Sequence, residues 1–117
     1  MKLYGIANCN SVKRARAWLA EHGRQAEFHD FKKQGVSVGL LEGWIARVGW
    51  EPLLNRRGTT WCRLPDATKA AIVDQAAAIR LMLEKPSVIK RPVLENDGEI
   101  HLGFDADSYQ ALLGKDA

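Results

Sequence analysis

The chain has 117 residues, is 46% apolar and 26% charged, and carries a net charge of +3, which suits one globular domain on a single core. No apolar run approaches the ~20 residues of a membrane-spanning helix, and the first residues lack the apolar stretch of a signal peptide. Two cysteines, Cys9 and Cys62, stand too far apart for a metal cluster or a disulfide framework, so a reduced cytoplasmic protein without a metal is expected.

In chain order, Lys2 to Ile6 reads as a short strand. From Asn10 to His22, the residues Val12, Ala15, Trp18, Leu19 and His22 recur at three- and four-residue intervals, an amphipathic helix stopped by Gly23. Ala26 to Phe31 alternates as a second strand, and strand, helix, strand implies a parallel pair with a right-handed crossover. Ser37 is a candidate N-cap for a helix whose apolar face is Leu40, Leu41, Trp44, Ile45 and Val48, ending at Gly49. Gly35, Gly39 and Gly43 argue against a long helix before residue 40. Glu51 to Gly58 is turn-rich. One long helix is then expected from Asp66 to Glu84, with Ile72, Val73, Ala76, Ile79 and Leu83 inward and Pro86 ending it. Val88 to Leu94 is strand-like but interrupted by Pro92. Asn96-Asp97-Gly98 signals a hairpin, Glu99 to Leu102 the return strand, and Asp105 to Leu113 a closing helix capped by Asp105 or Asp107. The expected domain is a single α/β unit, 1–117, with outer parts 1–35 and 88–117 around a helical insertion, 36–87.

Charge is unevenly spread. Residues 1–63 hold 11 Lys/Arg against 5 Asp/Glu, and residues 64–117 hold 6 against 9. The basic half suits an acidic partner or an anionic small molecule. Direct nucleic-acid binding is disfavoured by the modest net charge and the absence of zinc-finger spacing.

Cys9 carries the chemistry. Free cysteines are mostly small buried hydrophobes, but Asn8, Asn10 and Ser11 are turn and cap residues that favour an exposed strand-to-helix corner. Lys13, Arg14 and Arg16 oppose the helix macrodipole, and positive charge there stabilises a thiolate. A local rule broken beside a reactive group marks a functional site.

The element order, the cysteine at the first strand-helix corner and the proline opening the third strand resemble the ArsC/Spx family, its YffB branch most closely. The stretches that carry the resemblance are Leu3-Tyr4-Gly5-Ile6 through Cys9, Val12-Lys13-Arg14-Ala15 and Phe28-His29-Asp30-Phe31. More specific are Leu54-Asn55-Arg56-Arg57-Gly58-Thr59-Thr60-Trp61 and Pro86-Ser87-Val88-Ile89-Lys90-Arg91-Pro92-Val93-Leu94. The resemblance implies a thioredoxin-like fold, a catalytic Cys9, an oxyanion-site arginine at Arg91 and a cis-proline at Pro92. The departures narrow the chemistry. Asn55 stands where arsenate reductases of the family carry arginine, Gly103 replaces another arginine, and Gly5 replaces a histidine that tunes the thiol. Arsenate reduction, which needs several convergent donors, is therefore disfavoured. Val12 takes the place of the second cysteine of a Cys-x-x-Cys switch, and Cys62 could pair with Cys9 only within about 7 Å between Cα atoms. Cys62 is expected to be structural or incidental.

Two functions follow from the resemblance. The first is a monothiol reductase in which Cys9 attacks a small or glutathionylated disulfide and glutathione serves as reductant. Arg56, Arg57, Lys90 and Arg91 would receive the carboxylates of glutathione, Asn8 and Lys13 would flank the thiol, and backbone beside Pro92 and Val93 would pair with the peptide-like ligand. The alternative is a non-enzymatic regulator that binds RNA polymerase, for which Trp44, Trp50 and Trp61 are candidate interface anchors, although packing of the insertion against the sheet is the role expected of them. A monomer is expected in either case.

Overall fold

The computed structural model describes residues 1–113; the last four of the expected domain 1–117, and of its outer part 88–117, lie outside the described residues. The described residues form two compact units, one of 1–30 with 91–113, the other of Phe31–Lys90.

The first unit holds strands β1 (Lys2–Gly5) and β2 (Glu27–Asp30), with helix α1 (Asn10–Glu21) between them. After the second unit come β3 (Val93–Asn96), β4 (Glu99–Leu102) and the last helix, Ala106–Leu113. The four strands make one sheet in the order β2-β1-β3-β4. β1 runs parallel to β2 and antiparallel to β3, and β3 and β4 form the hairpin. Asp97 (φ 51°) and Gly98 (φ 82°) both adopt the left-handed region that a tight hairpin requires.

The core of this unit follows from two periodicities. Leu3 and Leu94, opposite each other in β1 and β3, present one sheet face. Ala15 and Leu19 of α1, four residues apart, join them with Tyr109 and Leu113 of the last helix. Asp105 caps that helix, its carboxylate accepting from the N–H groups of Asp107 (3.0 Å) and Ser108 (3.3 Å).

The second unit is helical: α2 (Phe31–Gln34), α3 (Val38–Val48), α4 (Trp50–Leu53), α5 (Thr59–Cys62), α6 (Asp66–Ala70), α7 (Gln75–Glu84) and a 3-10 turn at Pro86–Val88. The last helix is accordingly α8. Ser37 caps α3 by accepting from the Leu40 N–H at 3.2 Å, and the helix contains Gly39 and Gly43. Leu41 and Trp44 are fully buried, and the Trp44 ring meets that of Phe31 at 6.3 Å.

One expectation fails here. The stretch from Asp66 to Glu84 is two helices, because Asp74 accepts from the Ala77 N–H at 2.9 Å and starts α7 afresh. The restart resets the helix phase. Ala77, Ala78, Leu81 and Met82 are buried, whereas Val73 is 72% exposed and Leu83 also faces solvent. The interruption expected within 88–94 is present. Val88 ends the 3-10 turn, Ile89 makes an isolated bridge with Leu54, and β3 begins only after Pro92.

Candidate active site

Cys9 occupies the N-cap position of α1, with extended backbone (φ −131°, ψ 127°), and its carbonyl accepts the first helical hydrogen bond from Lys13 N–H at 2.9 Å. The neutral thiol makes no capping hydrogen bond, being a weak acceptor. Ionisation changes this. Partial burial pushes the thiol upward, but the Val12 N–H, the Arg91 side chain and the Ser11 N–H all favour the thiolate, and together they bring Cys9 below the ordinary thiol value. Residues 11 and 12 are the second and third helical positions, whose N–H groups have no partner within the helix.

The charges acting on Cys9 differ from those the sequence suggested. Lys13 is exposed and not among them. Arg14 lies over the Phe104 ring (5.8 Å) and Arg16 over Phe28 (4.4 Å), so both stack on aromatic faces. The positive charge comes instead from Arg91, distant in sequence. The sequence reading placed the thiol at a helix N-terminus, whose unpaired N–H groups carry positive charge, without naming the two that face it; a residue at an N-cap position points to the second and third N–H groups behind it.

Arg91 precedes Pro92 through a cis peptide bond. Pro92 is buried and its carbonyl accepts from Gly103 N–H at 2.8 Å. Gly103 has φ 79°, so the glycine standing where the resemblance expects arginine fits the left-handed backbone at the end of β4. Val93 does not suit the role expected of it. It is buried, with Tyr4 of β1 on one side and Leu102 of β4 on the other, so no ligand strand can lie beside it in the sheet. Asn8 is exposed in the turn before Cys9.

Arg56, Arg57 and Lys90 belong to the second unit. There the chain around Leu54 runs beside that around Ile89: Asn55 N–H donates to Val88 O at 2.8 Å, and Lys90 N–H to Leu53 O at 2.7 Å. Asn55 shapes the turn that follows, its side-chain oxygen accepting from Arg57 N–H at 3.3 Å and its carbonyl from Gly58 N–H at 3.2 Å. Arg56 and Arg57 are both exposed, and the Arg56 guanidinium lies 5.7 Å from the Trp61 ring centroid. Cys62 is exposed, which fits the incidental of its two expected roles and not the structural one; its Sγ lies 3.8 Å from the Arg56 carbonyl. Trp44 is fully buried, which removes it as an interface anchor, whereas Trp50 and Trp61 are half-buried. Among the described residues no group of three or more His, Cys, Asp or Glu side chains converges as a metal site requires. Nor is any helix among them long and apolar enough to cross a membrane.

A mixed sheet in the order β2-β1-β3-β4, with a thiol at the first strand-helix corner and a cis-proline opening β3, defines a thioredoxin-like fold bearing one activated cysteine. The model of the ArsC family matches residues 4–112, and the chain belongs to that family. A solved YffB protein is 50% identical, with a TM-score of 0.88 over 95% of this chain and 96% of its own. An arsenate reductase (ArsC) related protein from Brucella melitensis is 47% identical, with a TM-score of 0.76 over 95% of this chain and 93% of its own. The global transcriptional regulator Spx of Streptococcus pyogenes is 27% identical over 117 residues, covering 97% of this chain and 85% of the regulator.

Proposed function

We propose that the protein is a monothiol thiol/disulfide reductase, with Cys9 as nucleophile and glutathione as the source of the second thiol. The observation that carries this reading is a single sulfur that ionises readily beside Arg91, with Val12 and not a second cysteine one helical turn on. The Cys9 thiolate attacks the glutathione sulfur of a mixed disulfide. A Cys9–glutathione disulfide forms, and the substrate leaves as a thiolate that takes up a proton. A second glutathione, as thiolate, attacks the glutathione sulfur of that adduct, releasing oxidised glutathione and restoring Cys9. The net change turns one mixed disulfide and one glutathione into a substrate thiol and oxidised glutathione.

Arg91 is assigned a carboxylate of glutathione as well as its part in holding the thiolate. Arg56, Arg57, Lys90, Asn8 and Lys13 are proposed as further contacts, on the strength of their residue types and the family pattern. Arsenate is not the proposed substrate, since Asn55 and Gly103 supply turn geometry where an oxyanion site needs guanidinium donors. We place the reaction in the reducing cytoplasm, carried out by a monomer.

The test follows Cys9 alkylation by iodoacetamide against pH, the glutathione adduct by mass spectrometry, and turnover of a glutathione mixed disulfide. The expected results are a reactivity midpoint below that of a free thiol, an adduct on Cys9, and turnover lost in Cys9→Ser. A midpoint at or above the free value, with neither adduct nor turnover, overturns the proposal.

The Spx relative supports a second reading, in which the protein docks on RNA polymerase without turnover. That reading expects co-purification with the polymerase that survives Cys9→Ser. The reductase reading expects no such dependence on a polymerase.

A further inference from the structure

Gly5 ends β1 directly behind the first turn of α1. A Cβ placed on it would lie 2.7 Å from Cγ2 of Val12, closer than carbon atoms approach, with the other Val12 side-chain carbons at 3.7 and 3.8 Å. Val12 is 0% exposed. It is β-branched and on a helix, so it has essentially one side-chain rotamer and cannot turn away. The same residue supplies the backbone N–H that faces the Cys9 sulfur. Any side chain at position 5, the histidine that the family resemblance leads one to expect included, must displace Val12 and with it the turn that holds that N–H.

We infer that Gly5 is a positioning residue for the reaction: by leaving room for the Val12 side chain, it seats the first turn of α1 so that the Val12 N–H meets the Cys9 thiolate. The inference rests on the reading of Cys9 as the nucleophile. It also gives the Gly5 departure a physical use. Where a polar side chain is missing, close packing of helix on strand brings a backbone donor to the sulfur.

The experiment compares the pH profile of Cys9 alkylation in the wild type, Gly5→Ala, and the double variant Gly5→Ala/Val12→Ala, with folding checked by circular dichroism. A hydrogen bond to a charged group is worth enough that weakening it in Gly5→Ala should move the midpoint up by about one pH unit. That corresponds to a roughly tenfold fall in reactivity at pH values below the midpoint. In the double variant the obstructing methyls are gone, and the midpoint returns to that of the wild type. A general loss of structure would not be reversed by a second truncation. In wild-type protein, the Val12 amide proton should also titrate with the Cys9 midpoint by NMR, and this link should weaken in Gly5→Ala. An unmoved midpoint in Gly5→Ala, or a raised one that the double variant does not restore, overturns the inference. If Gly5→Ala does not fold, Val12→Ile adds a carbon to a side chain that is 0% exposed, so it too shifts the first turn of α1 and must raise the midpoint; an unmoved profile then overturns it equally. A wild-type midpoint at the free-thiol value is a separate result, which removes the reading of Cys9 itself.

Discussion

At Cys9 three donors work against burial, and two of them are backbone groups that no side-chain substitution deletes directly. Arg91 is the one that mutation can remove. It acts both through a hydrogen bond and through its charge, each favouring the thiolate. Arg91→Gln keeps a polar side chain of similar reach but removes the charge. The Cys9 midpoint should then rise by about one to two pH units, the usual effect of one close opposite charge. Arg91→Lys should fall between, since an ammonium keeps the charge but not the planar pair of donors. Rates of alkylation measured from pH 5 to 10 check both. The variants should differ from the wild type at low pH and converge above the thiol's ordinary value. Parallel profiles offset at every pH would instead mean that Arg91 alters access to the sulfur. The family resemblance placed Arg91 in the site of Cys9, but the residues near the thiol in sequence obscured its part. The sequence attributed the activating charge to Lys13, Arg14 and Arg16 because proximity along a helix can be read from a string of residues. Proximity across a sheet cannot, and Arg91 reaches the sulfur through the return of the chain into β3.

Among the elements, those with distinct end signals were legible. Gly23, at φ 67°, stops α1 where its apolar period ends, and Asp97-Gly98 turns the hairpin. Three elements left no such trace. Phe31–Gln34, Trp50–Leu53 and Thr59–Cys62 are single helical turns, each too short to show a helical period. Over 66–84 the apolar residues fit one continuous helical period, but the Asp74 carboxylate competes for the backbone and begins a new helix. That assignment is testable. Asp74→Ala removes the hydrogen bond to Ala77 and should cost about 1 kcal/mol of stability, measured by urea unfolding. Asp66→Ala should cost well under half as much, because Asp66 lies in the first turn of α6 without serving as its cap. Equal losses in the two variants would contradict the role given to Asp74.

For the whole molecule, the expectation of one thioredoxin-like α/β chain with a helical middle came from the order of its elements, and the sheet order agrees with it. The ionisable groups of the sheet unit give that fold a distinctive alkaline response. Burial first, and then the hydrogen bond to Glu95 at 2.7 Å, holds the Tyr4 hydroxyl well above the ordinary tyrosine value; burial does the same for Tyr109. A group raised in the folded state contributes stability that is whole below its unfolded value and is lost as pH climbs past it. Cys9 has the opposite sign. Its folded value is depressed, so its contribution is present above the ordinary thiol value and disappears as pH falls through the folded one. Under reducing conditions, unfolding free energy should therefore rise as pH increases toward the ordinary thiol value, then decline above about 10 as the unfolded tyrosines ionise. Chemical denaturation at intervals from pH 7.5 to 11, above the range in which the depressed His101 adds a rise of its own, measures the curve. Cys9→Ser should flatten the rising limb alone. Tyr109→Phe should make only the falling limb shallower, with Tyr4 keeping the remainder, since Tyr109 is fully buried in the core formed with Leu3 and Leu94 and the phenyl ring keeps its packing. A rising limb that persists without the thiol would mean that the Cys9 thiolate is no more favoured in the folded chain than in the unfolded one, whatever its reactivity.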